Sequence, residues 1–337
     1  MTSVRIACKF PRFSLDVDFA IPAGITALFG PPDSGKTVIL DAVAGLTRPA
    51  AGRILLDDAI VFDAQSRVHL PARRRHCGYI FRKDALFPHL TLRGNLRFAV
   101  RRLPRLERHR RIAETLERFD LASAADARPS ELTAAQKLRA AVARAVMAEP
   151  KLLLVDDCPA DESLLRLVAC PTLLVTADLD LCCSAAGQLL LIENGRILQR
   201  GSPREVLDRP ESVEAARLLG IRNLFHGTIA ALDPGRNSSR LEFGDFALTG
   251  PYIPSHFRGD QVWVAVPSAA LRVHPAGIAA PPNSVAVNLV RVSPRAASVR
   301  LEFEHSIFAD IPHEEFARQK DNKGWQVEFP PAALRIL

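Results

Sequence analysis

Gly30-Pro31-Pro32-Asp33-Ser34-Gly35-Lys36-Thr37 follows the apolar run Ile25-Thr26-Ala27-Leu28-Phe29 and leads into Val38-Ile39-Leu40. The octet fits G-x-x-x-x-G-K-[ST], set between a buried strand and a helix, the context this phosphate-binding loop requires. Its glycines leave backbone N–H groups free to wrap phosphate oxygens, and the helix N-terminus adds the positive end of its dipole. In this reading Lys36 reaches the β- and γ-phosphates and the Thr37 hydroxyl ligates Mg²⁺. Asp156 ends the apolar run Leu152-Leu153-Leu154-Val155 and is the acid expected to support that metal.

Working outward, residues 4–30 alternate through VRIACKF and FSLDVDFAI and run into ITALFG, a pattern of strands around the turn PAG. Residues 35–45 read as a helix and RILLDDAIVF as strand, turn, strand. Apolar spacing from Thr91 to Phe119 is helical, broken near Pro104. QKLRAAVARAVMAE reads as an amphipathic helix, LLLVDD and TLLVTAD as buried strands, and LLLIENGRILQRG as a hairpin on an Asn-Gly turn. Strands alternating with helices give an α/β domain with a largely parallel sheet. After Gly220 short β-branched strands with Pro and Gly take over. The expectation is therefore two domains, 1–220 and 221–337, the second β-rich and barrel-like. SSRLEFGDFAL and ASVRLEFEHSIFADI echo one another on either side of Ala279-Ala280-Pro281-Pro282, which suggests two small halves, about 221–278 and 283–337.

The 337 residues, 48% hydrophobic and 24% charged, suit two packed domains and exclude wholesale disorder. No apolar run approaches the ~18–20 residues of a membrane helix. The amino end, MTSVRIACKFPRF, lacks a signal-peptide layout. Cysteines 8, 77, 158, 170, 182 and 183 show no C-x-x-C spacing, so reduced thiols are expected. The net charge of +7 raises the question of nucleic acid, but its distribution answers it. Residues 1–220 carry 32 basic and 26 acidic side chains, and residues 221–337 carry 12 and 11. Within Arg73–Arg111 lie 13 Lys/Arg against Asp84 and Glu107. The surplus is one local patch whose aromatics sit among Pro, His and Leu, and no nucleic acid is expected as a partner.

In order along the chain come GPPDSGKT, GLTRPAAGRILLDD, LPARRRHCGYIFRKDALFPHLTLRGNLRFAV and PSELTAAQKLRAAVARAVMAEPKLLLVDD. In this order and content the chain resembles the ATP-binding subunits of ABC transporters, most closely those of molybdate importers. LFPHLTLRGNLRF is the most specific piece. The resemblance covers residues 1–220 well and 221–337 more loosely. It implies an ABC-type nucleotide-binding domain with a helical subdomain, followed by a β-barrel regulatory domain of the TOBE/Mop type. It further implies ATP and Mg²⁺ as cofactors, and dimerisation with an identical or a paralogous ATP-binding subunit. The partner it implies is a transmembrane permease docked through the Arg73–Arg111 region, and the location it implies is the cytoplasmic face of the plasma membrane. Phe13 sits where the family stacks an aromatic on adenine, with Phe10 as competitor. Thr133 and Gln136 belong to the signature that closes on the opposite protomer's nucleotide. In the carboxyl domain Ser293 and Arg295 are anion-site candidates by residue type alone.

Four positions depart from what the family uses for hydrolysis. Arg82 replaces a Gln, and a guanidinium, always charged, is no metal ligand. Leu132-Thr133-Ala134-Ala135-Gln136 replaces LSGGQ, adding methyl groups where close approach is needed. Asp157 replaces the Glu that polarises water, one methylene short, where a 1 Å misplacement costs on the order of 10²-fold. Ala177 replaces the switch His and offers the γ-phosphate no donor. The stretch between Asp157 and Ala177 is visibly shortened, with CPADES, including Asp161, in place of the usual loop. Nucleotide binding is expected to survive and hydrolysis to be impaired. The alternative is a catalytically degenerate regulatory subunit beside an active paralogue, and the remote alternative a P-loop protein acting on nucleic acid.

Overall fold

The computed structural model describes residues 2–337 except 12, 83–85, 158–161, 277–280, 321 and 323. Cys158, Asp161, Lys83 and Asp84, and the Ala279-Ala280 junction, lie outside the described residues. The chain divides into two compact units, Met1–Asp208 and Arg209–Leu337.

Two sheets build the first unit. β1 (Thr2–Phe10), β2 (Phe13–Ile21), β4 (Ala51–Leu56), β5 (Ala59–Asp63) and β6 (Val68–His69) form an antiparallel sheet in the order β2-β1-β4-β5-β6. The second sheet runs β11-β10-β3-β9-β8-β7, from β3 (Ile25–Phe29), β7 (Cys77–Ile80), β8 (Leu152–Asp156), β9 (Thr172–Thr176), β10 (Gln188–Glu193) and β11 (Arg196–Gly201). All its pairings are parallel except the β10–β11 hairpin.

β8 and β9 read as unbroken apolar runs because both faces are covered. Leu152, Leu154, Leu173 and Val175 enter one core with the antiparallel sheet and α1 (Lys36–Ala44). Leu153, Val155 and Leu174 enter a second core with α2 (Leu92–Ala99), α3 (Arg105–Arg118), α4 (Ala134–Met147) and α5 (Glu162–Arg166). α6 (Leu179–Ala185) and α7 (Pro203–Asp208) complete the unit. The period-2 geometry of a strand alone sends neighbouring leucines to opposite cores.

In the second unit the short helix α8 (Val213–Leu218) precedes β12 (Asn223–Asp233). The unit begins before Gly220 because Ala216 on α8 packs with Ile221 and Ala265. β12, β13 (Ser238–Phe243), β14 (Phe246–Pro251), β15 (Gln261–Val266) and the closing strand β22 (Arg335–Ile336) form one sheet, ordered β14-β13-β12-β15-β22. β16 (Arg272–Pro275), β17 (Ser284–Val287) and β21 (Trp325–Glu328) form another. β18 (Leu289–Pro294), β19 (Val299–Phe303) and β20 (Ile307–Ile311) form a third, and α9 (His313–Gln319) follows β20.

The echo in the sequence marks two like hairpins, β13–β14 and β19–β20, with Leu241 and Leu301 both fully buried. Strand pairing crosses the boundary between the two small halves that the echo suggests. β22 pairs with β15, β16 pairs with β21, and one core runs from Phe225 through Leu301 to Phe329. Late strands complete early sheets, so neither half closes alone.

Candidate functional site

β3, β8 and β9 are parallel neighbours, so their carboxyl ends open onto the same edge, the usual place for a ligand in an α/β sheet. The octet after β3 turns directly into α1. Gly35 caps that helix at φ 99°, and a Cβ there would lie 2.7 Å from Phe13 Cζ. Only glycine meets both conditions. Lys36 bends back over the loop, its Nζ donating to the carbonyls of Gly30 (2.9 Å) and Pro31 (2.6 Å) and to Ser34 Oγ (3.3 Å). Thr37 Oγ1 sits 3.3 Å from both carboxylate oxygens of Asp156, across 119 residues of chain.

A cavity of about 570 Å³ lies over this edge. The loop, Asp156 and Asp157 wall it, with Ala177 after β9 and Arg82 after β7, and Phe10 and Phe13 also reach it. Arg82, Asp157 and Ala177, distant in sequence, are thus brought to one place. Arg82 Nη2 lies 3.4 Å from Asp157 Oδ2. Asp157 holds φ 42°, a left-handed conformation, and its N–H donates to the Val175 carbonyl at 2.9 Å. The Phe10 and Phe13 rings stack at 6.1 Å with 27° between planes. Phe13 packs against the first core while Phe10 is exposed.

Burial pushes the Lys36 ammonium below its ordinary value, while Asp157, Asp156 and Asp33 pull it back. Burial raises the Asp156 carboxyl, the Thr37 hydroxyl opposes that, and the charges of Asp41 and Asp157 add to the rise. An anion-rich pocket of this kind favours a cation beside Asp156. Thr37 and Asp156 offer the hydroxyl and carboxylate oxygens that Mg²⁺ takes, and the remaining positions suit phosphate and water. Among the described residues no group of three or more His, Cys, Asp or Glu forms a protein-only metal site.

Thr133 and Gln136 are not on the wall of this cavity. Thr133 caps α4: Gln136 N–H donates to its Oγ1 at 3.2 Å, and its own N–H donates to Gln136 Oε1 at 3.0 Å. The two polar side chains of the signature therefore complete a reciprocal capping box. Ser293 is half-buried on β18, and Arg295 is exposed beyond it.

The basic stretch separates into unlike parts. Arg75 is 1% exposed and belongs to the interior. Its guanidinium donates to Ala42 O (2.7 Å), Val43 O (3.0 Å) and Leu70 O (2.8 Å), closing the C-terminus of α1. Arg93 pairs with Asp126, and Arg111 with Glu107 and Glu149. Phe81, Phe98 and Leu106 are exposed, as are Arg97, Arg101 and Arg102, and the Arg101 guanidinium lies 4.8 Å over the Phe98 ring. Buried Asn95 holds the preceding turn, bonding Phe87 N–H, Phe87 O, Leu90 O and Thr91 O. Asn95 escaped the sequence reading; its only trace there is a polar residue on the buried face of α2. Five cysteines are free among the described residues, and burial pushes the thiols of Cys77 and Cys182 up to about 12.

A phosphate-binding loop, an acid-ended strand of the same parallel sheet, an antiparallel sheet and a helical layer define an ATP-binding cassette. The ABC transporter family model matches residues 15–160. The molybdenum import ATP-binding protein ModC of Paramagnetospirillum magneticum is 33% identical over 69% of this chain and 68% of its own length. The ModC of Rhodospirillum rubrum is 36% identical over 63% and 60%. The molybdate/tungstate import ATP-binding protein WtpC of Archaeoglobus fulgidus is 32% identical over 68% and 98%. Among solved structures, a dimeric ATP-binding cassette in a post-hydrolysis state bound to ADP and Pi superposes at TM-score 0.51. It is 20% identical and covers 60% of this chain and 99% of its own. A nucleotide-free cassette from an ABC transporter gives 0.53 at 20% identity, over 64% and 97%. The chain belongs to the ABC transporter ATP-binding family, and its β-rich second unit is consistent with a TOBE-type domain. No helix among the described residues is long and apolar enough to cross a membrane.

Proposed function

We propose that the chain is the ATP-binding subunit of an importer for molybdate or a related oxyanion such as tungstate or sulfate, with depressed hydrolysis. The observation that carries the nucleotide reading is Thr37 Oγ1 facing Asp156 beneath the Lys36 loop. Lys36 and the loop amides hold the phosphates, Thr37 and Asp156 hold Mg²⁺, and Phe13 with Phe10 offers a face for adenine. When bound, Mg²⁺ supplies charge neutralisation on the phosphates. Relatives named for molybdenum and molybdate/tungstate import support the solute class. The exposed phenylalanines and arginines of residues 81–106 suit a permease subunit at the membrane's inner face, and Thr133 and Gln136 suit a second cassette, identical or paralogous.

A regulatory, non-hydrolysing role beside an active paralogue is favoured by one further observation. At the hydrolytic positions Arg82 and Asp157 are paired with each other, and Ala177 has no proton to donate. Steady-state phosphate release by purified protein, beside Lys36→Ala, separates the two. Turnover around 1 s⁻¹ or faster, abolished by the substitution, would establish a working ATPase and end the regulatory reading. ATP binding without turnover supports it, and no ATP binding by folded protein overturns both.

A further inference from the structure

We propose that Arg82 is a phosphate ligand of the nucleotide site, and that its guanidinium lowers the dependence of ATP binding on a divalent cation. The proposal rests on the nucleotide-site reading above and adds to it a residue that does part of the metal's electrostatic work.

Arg82 leaves β7 at a fixed point. Tyr79 Oη donates to Asp41 Oδ1 on α1 at 2.9 Å, and the Tyr79 ring stacks on Phe81 at 4.0 Å. The strand end is thereby tied to the helix that carries Lys36 and Thr37. From there the Arg82 side chain reaches the cavity wall and meets Asp157 at 3.4 Å, while 70% of it stays exposed. An ion pair with this much solvent is weakly held and readily exchanged for a stronger partner.

A triphosphate is that partner. Among the cavity's charged side chains, Lys36 and Arg82 stand against Asp33, Asp156 and Asp157. A polyphosphate entering this pocket adds several negative charges to an acidic surplus, so its binding needs cations. Mg²⁺ supplies two charges, and Arg82 is a protein cation beyond the loop lysine. A planar guanidinium gives two parallel N–H donors to phosphate oxygens, which a neutral amide at this position would not. Once Arg82 turns to phosphate, Asp157 is freed, and the two residues form an exchange rather than a static bridge.

The test is isothermal titration of full-length protein with ATP, in Mg²⁺ and in EDTA, for the parent, Arg82→Gln and Arg82→Lys. Arg82 is exposed, so both variants are expected to fold, which circular dichroism checks. Losing one charge-assisted phosphate contact predicts about a 10- to 100-fold weaker affinity for Arg82→Gln in EDTA and a change under about threefold in Mg²⁺. Arg82→Lys, which keeps the charge, recovers part of the loss. If parent and Arg82→Gln lose the same factor on Mg²⁺ removal, the role of Arg82 is overturned and the nucleotide site stands. If the folded parent binds no ATP in either buffer, the site reading itself falls and the proposal with it.

Discussion

The Arg75 guanidinium lies against Gly45: a Cβ on Gly45 would sit 2.5 Å from Arg75 Nε. Gly45 holds φ 83° at the end of α1, and Arg75 bonds the helix's last carbonyls in the space that glycine leaves. The helix that follows the loop of residues 30–37 has its negative end closed by a buried cation. Arg75→Met leaves the carbonyls of Ala42, Val43 and Leu70 without this donor and is expected to cost about 2–4 kcal/mol. A fall in the first unit's urea midpoint checks it, and an unchanged midpoint refutes the capping role.

On the proposed function, hydrolysis depends most on the positions around Asp157. The combined variant Asp157→Glu and Ala177→His restores the missing methylene and a donor toward the γ-phosphate. Phosphate release is expected to rise on the order of 10²-fold or more. No rise would place the lesion at Ala134-Ala135 or at Arg82, and adding Arg82→Gln then tells these apart.

Thr133 and Gln136 are held in a capping box outside the cavity. Thr133→Ala should therefore lower stability by about 1 kcal/mol, read by urea unfolding, while ATP affinity of the isolated monomer stays within error. A fall in monomer affinity would show that Thr133 contributes to the site of its own chain.

In the second unit Arg300 Nε donates to Asp310 Oδ1 at 2.7 Å, and Ser268 Oγ donates to Asp310 Oδ2. Burial raises the Asp310 carboxyl, but the bonds from Arg300 and Ser268 and the Arg300 charge outweigh it, and the group ends below its ordinary value of 3.8. A depressed carboxyl contributes stability that is present above pH ~4 and lost as pH falls through the folded-state value. Arg300→Met, which strands Asp310, is expected to lower stability by about 3 kcal/mol at pH 7. The gap to the parent should narrow below pH 4 in thermal melts. A pH-independent gap would mean that packing, not charge, sets the cost.

Much of the candidate site is legible in the sequence because its parts are local. The octet 30–37 carries its own strand, turn and helix, and Asp156 ends a run whose burial is plain from composition. The second unit was less legible. The two RLEF hairpins could be matched, but β22 pairing with β15 is a contact between chain ends that no periodicity encodes. Arg75 stands in the same basic stretch as Arg82, and nothing in its sequence neighbours marks it as a buried helix cap.

The sequence by itself determined the α/β class, the loop motif of residues 30–37 and the β-rich second unit, while Arg82, Ala134-Ala135, Asp157 and Ala177 stand out only against the family that the chain resembles. These are properties of residue type at a position, and residue type sets propensity, charge and burial. Only the tertiary structure decided who meets whom: Thr37 with Asp156, Arg82 with Asp157, Arg75 with the end of α1, and late strands with early ones. Parallel β-pairing brings the ends of β3, β8 and β9 to one edge across long stretches of chain. A contact made by such closure depends on the whole sheet, so no local window of residues contains it.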